Sequence, residues 1–180
     1  LSNLGITYRV GGDFDKARAA YKAALDIHRE VGNRPSEALA LNNLANIYMH
    51  NSEFTEARDA LLEAIAITEE VGNHKDRCIM LGNLGDLSLK LNQLDKAQEY
   101  LESSIELARS VGMRGPEGAF NGSIGELFTR LEQTDTARHH LDVGEKILRE
   151  LGDLDELLKV LVRRTELELI EKDSAALQTV

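Results

Sequence analysis

Apolar residues return along the chain at helical spacing, and the whole pattern repeats every 40 residues. One helical face of the second unit carries the first apolar stripe: Leu41, Leu44, Ala45 and Tyr48. A second stripe of the same kind runs through residues 54–68. Asn51-Ser52-Glu53 separates the two stripes, and Gly72-Asn73 follows the second, where glycine suits the left-handed residue that ends a helix. The pattern predicts a helix, a short turn, a second helix and another turn in each unit.

Four units share this pattern, at about residues 1–33, 34–73, 74–113 and 114–153. We expect residues 154–172 to form a capping helix, and residues 173–180 to form a turn and the start of a truncated further helix. A fixed period of this size predicts units that bury their apolar faces against their neighbours. The expected fold class is therefore all-α, a right-handed superhelical solenoid of antiparallel helix pairs.

Small residues occupy matching positions in the two helices of every unit. The first helices carry Gly5, Ala45, Gly85 and Gly125, and the second helices carry Ala17, Ala57, Ala97 and Ala137. A glycine inside a helix costs about 1 kcal/mol relative to alanine, so its recurrence at one position needs a packing reason. We expect a backbone segment or a large side chain to press against this position.

The order of these residues resembles the tetratricopeptide repeat family. The first unit has the family pattern in Leu1, Leu4-Gly5, Tyr8, Ala17, Tyr21 and Ala24. The family's usual period is about 34 residues, and HEAT and armadillo repeats come closer to 40, but those lack the Leu-Gly, Tyr and paired-alanine signature. The resemblance covers about residues 1–172 and implies a scaffold for protein binding. Among the 40-residue forms it is similar to Pins-type polarity adaptors, kinesin light chains and bacterial regulators, and does not choose between them.

Composition narrows the classes of partner. The net charge of −10 and the isoelectric point near 5.0 disfavour nucleic acid, which needs a basic surface. No apolar run approaches the roughly 18 residues of a membrane span, so no membrane partner is expected. Cys78 is the single cysteine, flanked by Ile79, Met80 and Leu81, which predicts a buried thiol and a reducing, cytoplasmic location. The chain begins on a repeat landmark, which suggests a fragment of a longer protein.

The sequence offers little enzyme chemistry. His139 and His140 are adjacent on a helix and point about 100° apart, so they cannot chelate one metal ion. Asp135 and His139 have i,i+4 spacing, but two ligands on an exposed helix make a weak site. The glycines follow the repeat instead of clustering in a phosphate-binding loop. We therefore expect no catalysis, no cofactor and no metal.

One position of the first helix carries asparagine in three successive units: Asn3, Asn43 and Asn83. Asparagine disfavours helix interiors because its amide competes for backbone hydrogen bonds, so three in one register need a reason. These amides could form a ladder that binds the backbone of an extended peptide in the concave groove. They could also bond across adjacent repeats and fix the twist. The two uses are compatible.

Two neighbouring registers carry polar and charged residues. One contains Asn46, Asp86 and Glu126, and the other contains His50, Lys90 and Arg130. Asp86 with Lys90 and Glu126 with Arg130 have the favoured polarity for i,i+4 ion pairs. They could be ordinary solvated pairs, or they could line a groove that orients a ligand with both signs of charge.

Two functions follow from this surface. The first is a scaffold that binds an extended peptide of a protein partner. The second is a self-association, spacer or regulatory module of a larger signalling or transcription-regulating protein, with homo-oligomers forming through the apolar ends of the solenoid. Leu1, Leu4 and Tyr8 would lie at one such end, and residues 175–177 at the other.

Overall fold

The computed structural model describes the backbone of residues 1–178 and the side chains of residues 1–172. This part of the chain forms nine α-helices and contains no strand. Their bounds are α1 Ser2–Val10, α2 Phe14–Glu30, α3 Arg34–His50, α4 Phe54–Glu70, α5 His74–Lys90, α6 Leu94–Ser110, α7 Arg114–Arg130, α8 Thr134–Leu151 and α9 Leu154–Gln178. The predicted all-α class of paired helices is confirmed.

Short turns of one recurring form separate the helices. The left-handed turn residues after first helices are Gly12, Ser52, Asn92 and Glu132, and those after second helices are Gly32, Gly72, Gly112 and Gly152. Gly72, at φ 69°, has the conformation that the sequence predicted for it. The residue after some of these glycines caps the next helix: the Asn33 side chain accepts a hydrogen bond from the backbone N–H of Ser36 at 3.2 Å.

Internal contacts divide the chain into two compact units, Leu1–Leu87 and Ser88–Val180. In the first unit, α1 packs on α2, α2 on α3, and α3 on α4. The ring of Tyr21 on α2 lies against Gly5 on α1, where an added Cβ would approach Tyr21 Cε1 to 2.5 Å. Ala17 and Ala57 are fully buried. The small residues therefore leave room for a large side chain of the paired helix, as the repeat pattern predicts.

The first unit also buries one carboxylate. Glu37, in the first turn of α3, is 3% exposed. Its two oxygens accept hydrogen bonds from Arg29 Nε at 3.1 Å and from Arg34 Nη1 at 2.8 Å. Two cations thus compensate the desolvation of this carboxylate and tie the start of α3 to the end of α2. Cys78 is buried, as predicted.

In the second unit, α7 packs against α6, α8 and α9. The approach of α7 to α8 is close because glycines line both helices: a Cβ added to Gly144 would lie 2.8 Å from the carbonyl oxygen of Gly118. Gly125 faces Leu141 in the way that Gly5 faces Tyr21. The apolar core of this unit extends from Leu89 to Leu167 of α9.

The end of α9 corrects one prediction. A turn and the start of a further helix were expected after residue 172, but α9 continues as a single helix from Leu154 to Gln178. Residues 173–178 contain no glycine or proline, and Ala175 and Ala176 favour helix, so nothing in the local sequence stops it. The expected apolar end at residues 175–177 lies beyond the last described side chain, and residues 179–180 lie outside the described backbone.

Candidate interaction face on the first helices

The clearest candidate surface in the first unit is a stripe along α3. Leu39, Asn43, Asn46 and His50 follow one another at spacings of four, three and four residues. At about 100° per residue they fall within an arc of about 60° on one side of the helix. Leu39 is 44% exposed, the two asparagines are half-buried and His50 is exposed. We call these four residues the α3 stripe.

Equivalent positions on the neighbouring first helices hold three other predicted site residues. Asn3 on α1 is exposed, and Asn83 and Asp86 on α5 are half-buried. Asn83 Nδ2 donates a hydrogen bond to Asn42 Oδ1 at 2.8 Å, so this amide connects α5 to α3. Asn83 thus makes the bond across adjacent repeats that was one of the two uses considered for the asparagine register.

His50 is held at the end of the α3 stripe by a ring contact. Its imidazole stacks on Phe14, the first residue of α2, with ring centroids 3.6 Å apart and an interplanar angle of 22°. His50 Nδ1 also lies 3.4 Å from Asn51 Oδ1. Because the ring is stacked on a neighbouring helix, it offers a fixed polar edge beside the two asparagines.

In the second unit, the charged residues of the same two registers bond to the protein itself. Glu126 accepts hydrogen bonds from Arg130 Nη2 at 2.5 Å and from Arg163 Nε at 3.0 Å. Arg130 Nη1 donates to the carbonyl oxygen of Leu89 at 2.7 Å. The predicted i,i+4 pair of Glu126 with Arg130 is confirmed. Lys90 is exposed, and its pairing with Asp86 stays a prediction.

The structure also shows a polar cluster that sequence reasoning missed. Asn121 is 1% exposed at a position where the second and third repeats have leucine. Its Nδ2 donates to the carbonyl oxygen of Glu117 at 2.7 Å, which leaves Oδ1 to accept from His140 Nδ1 at 2.9 Å. The His140 ring also stacks on Phe128 at 5.7 Å. The sequence signal for this cluster was the presence of asparagine in the fourth repeat at a position where the second and third repeats have leucine.

Burial lowers the pKa of His140 below its usual value. The positive charges of His139 and Arg109 act in the same direction, and Glu102 opposes them. The imidazole is thus favoured in its neutral form, with the proton on Nδ1 directed at Asn121. A cavity of about 240 Å³ lies beside the ring, with Ile105 and Ile124 among its lining residues.

A pH dependence of stability follows from this shift. The pKa of His140 is lower in the folded than in the unfolded state. Its contribution to the free energy of unfolding is therefore complete above the unfolded pKa of about 6.5, and it is lost as the pH falls through the folded pKa. Urea unfolding at a series of pH values measures this dependence. Between about pH 7.5 and about pH 5.5, a range around that pKa, we expect the free energy of unfolding to fall less for His140→Gln than for the wild type. His139→Gln, at the exposed neighbour, is the control that keeps most of the dependence. Equal pH profiles for the wild type and His140→Gln would contradict the assignment.

Metal binding needs several ligands close together, and crossing a membrane needs a long apolar helix. Among them, no group of three or more His, Cys, Asp or Glu residues lies close enough to hold a metal ion. His139 and His140 are in edge contact at 5.5 Å. No described helix combines the length and the apolar character that crossing a membrane requires.

Comparisons with known proteins agree on the fold. The family model described as tetratricopeptide repeat matches residues 1–48 and 36–110. Aspartyl phosphate phosphatase F from Bacillus subtilis is 15% identical over 99% of this chain and 46% of its own, with a TM-score of 0.84. A Rap protein complexed with competence and sporulation factor is 17% identical over 96% of this chain and 48% of its own, with a TM-score of 0.83.

A third solved structure matches over most of both chains. It contains the nearly identical repeats of a kinesin-light-chain-type protein from Podosopora anserina, 19% identical over 98% of this chain and 92% of its own, with a TM-score of 0.69. No curated protein matches the chain. The chain spans less than half the length of the phosphatase and of the Rap protein.

Proposed function

Since the chain belongs to the tetratricopeptide repeat family, we propose that it is a non-catalytic protein-interaction scaffold that binds an extended peptide segment of a partner along the α3 stripe. The observation that carries this proposal is the run of one apolar, two amide and one imidazole side chain on a single face of α3, with the first and last of these exposed and the two amides half-buried. No other element of the first unit combines these groups in one line among the described side chains.

Amide side chains suit the backbone of a peptide. Each asparagine can donate from Nδ2 and accept at Oδ1, so Asn43 and Asn46 can pair with both an N–H and a C=O of an extended chain. Such pairing tolerates many peptide sequences. Leu39, 44% exposed, would add a contact for one apolar side chain and so select among peptides.

The asparagines of the register have different roles in this proposal. Asn83 already has a partner in Asn42, so we assign it to spacing α3 and α5. Asn43 and Asn46 make no hydrogen bond with another described side chain, so their amides are open to a ligand. Among the structures of this fold, the Rap protein was solved with competence and sporulation factor bound, which supports a binding role without naming a partner for this chain.

The double variant Asn43→Ala with Asn46→Ala tests the proposal. Linear peptides selected by the wild-type chain from a phage-displayed library serve as probes, with binding measured by fluorescence anisotropy. At about 1 kcal/mol for each lost amide pairing, we expect about 2 kcal/mol, or roughly thirtyfold, weaker binding. The melting temperature should change little, because alanine favours helix and neither side chain is fully buried.

A matched pair of amide losses gives the control. Gln93 and Gln133 are exposed residues before α6 and α8 whose side chains make no capping hydrogen bond. Gln93→Ala with Gln133→Ala should leave peptide affinity unchanged. A library that yields no binding peptide, or selected peptides that bind the Asn43/Asn46 variant as tightly as the wild type, would refute the proposal.

Self-association is the second candidate function. The observation that favours it is a set of large apolar side chains on α9 that remain more than half exposed: Leu154, Leu158, Val162 and Leu169. This function does not depend on peptide binding, because α9 shares no residue with the α3 stripe.

A further inference from the structure

Apolar side chains occupy two opposite faces of α9. Leu157, Val160 and Leu167 are buried against the second unit. Leu158, Val162 and Leu169 are 63%, 52% and 56% exposed. At about 100° per residue these three fall within an arc of about 40°, on the side of α9 opposite to its buried face. The exposed side of α9 thus has the apolar character of an interface but no protein partner among the described residues.

The spacing along this side is that of a helix–helix seam. Its positions alternate by three and four residues: Asp155, Leu158, Val162, Thr165, Leu169 and Lys172. This is the pattern by which two helices pack side by side along an apolar stripe. We call these six residues the α9 seam, and we propose that it joins two copies of this chain, α9 against α9, in antiparallel orientation.

The α9 seam is complementary to itself. A two-fold axis between Arg163 and Arg164 places Leu158 of one copy opposite Leu169 of the other, and Val162 opposite Thr165. Each pairing occurs twice, as a two-fold interface requires. The apolar contacts therefore meet in register without any shift of the helices.

The charges at the ends fix the orientation. The same axis places Asp155 of one copy opposite Lys172 of the other, once at each end of the seam. Both side chains are exposed, and neither forms an ion pair with another described residue. A parallel arrangement would bring Asp155 against Asp155 and Lys172 against Lys172, which like-charge repulsion disfavours. Charge complementarity thus favours a second copy of this chain, in one orientation, as the occupant.

Sedimentation velocity of the 180-residue chain over a concentration series tests whether the seam associates. We expect a concentration-dependent dimer for the wild type and a monomer at every concentration for Leu158→Glu with Leu169→Glu. Leu62→Glu is the matched control, since Leu62 on α4 is 44% exposed and lies outside the seam; it should leave the dimer unchanged. Circular dichroism establishes that each variant is folded. A wild type that stays monomeric, or a dimer that survives the double variant, would overturn the proposal.

A charge exchange tests the antiparallel register. Asp155→Lys should weaken dimerisation by about tenfold, because it converts two attractions into two repulsions. Adding Lys172→Asp to the same chain reverses both signs and should restore the affinity, even though each change alone is unfavourable. Failure of the double exchange to restore it would exclude this register.

A disulfide test gives an independent readout of the same geometry. Cys78 is buried, so an introduced cysteine on α9 supplies the accessible thiol. An equimolar mixture of Val162→Cys and Thr165→Cys chains should form mainly the mixed disulfide under mild oxidation. Predominance of the two like disulfides would indicate parallel pairing and overturn the proposal. The peptides that the wild-type chain selects from the library should bind all of these α9 variants equally. Failure of the α9 dimer is therefore distinguishable from failure of peptide binding at the α3 stripe.

Discussion

Tyr21→Ala is expected to release α1 from the first unit. Tyr21 is fully buried, and truncating a buried aromatic ring costs about 3–5 kcal/mol because a cavity remains. Gly5 is the one buried residue of α1, and it is buried against this ring. In a repeat stack each element is stabilised by its neighbours only, so we expect the loss to be concentrated at α1. Amide hydrogen exchange should show α1 exchanging at nearly unfolded rates while α3 and α4 remain protected.

Tyr21→Phe separates the ring from its hydroxyl. The Tyr21 hydroxyl is buried and has no hydrogen-bond partner among the described residues. Removing it relieves an unsatisfied polar group, so we expect this variant to be as stable as the wild type or more stable by about 1 kcal/mol. Unchanged protection of α1 in Tyr21→Ala, or a large loss in Tyr21→Phe, would contradict the packing assignment.

Gly144→Ala is expected to destabilise the second unit by about 2 kcal/mol, although helix propensity alone favours alanine by about 1 kcal/mol. The added Cβ would lie 2.8 Å from the carbonyl oxygen of Gly118 and 3.2 Å from the amide nitrogen of Gly122. Both atoms belong to the backbone of α7, so α7 and α8 must move apart. Urea unfolding followed by circular dichroism measures the loss.

Gly125→Ala is the matched substitution on the other helix of the pair. Its Cβ would approach Leu141 Cδ2 and Cγ to 2.6 Å and the carbonyl oxygen of Ala137 to 3.3 Å, so the Leu141 side chain must shift while the backbone of α8 must give only slightly. The second repeat already has Ala45 and Leu61 at the equivalent positions, and both are fully buried. We expect a change within about 1 kcal/mol. A gain in stability for Gly144→Ala would show that the two helices are not as close as the structure describes.

The sequence predicted the fold because its signals repeat. Turn chemistry, apolar spacing and small residues return at one register in every unit, so an error at one position is corrected by three others. The left-handed φ of Gly72 was expected on these grounds, and so was a large side chain against Gly5, which the structure shows to be that of Tyr21. The turn expected at residues 173–177 rested on no such repetition, and α9 continues through it.

The surface was less predictable, because exposure and pairing depend on three-dimensional neighbours. Asn43 and Asn83 occupy the same register. Asn83 donates a hydrogen bond to Asn42, whereas Asn43 makes no hydrogen bond with another described side chain. Glu126 was expected to pair with Arg130, but its second partner, Arg163, is 37 residues away and had no sequence signal. Equivalent positions in a repeat thus share a place on the helix without sharing a partner.

The cluster around His140 was missed for a related reason. The adjacent residues His139 and His140 were considered only for metal binding, and Asn121 departs from the leucine that the second and third repeats have at its position. The 2.9 Å contact joins Asn121 on α7 to His140 on α8, so each of these polar residues supplies the hydrogen-bond partner that the other needs. Paired departures from a repeat are a signal that can be sought in other chains of this kind.

The recurring turn also bears on how such a chain can change length. Gly32 and Gly72 adopt nearly the same backbone conformation, at φ 66° and 69°, and each is followed by asparagine. Joining Gly32 directly to Asn73 would rebuild the same turn and excise α3 and α4 together. Genetic recombination at these turns can therefore add or delete a whole helix pair and leave the same Gly-Asn turn conformation at the new junction. Here that exchange would remove the α3 stripe in a single event, so the number of repeats and the proposed peptide-binding surface would change together.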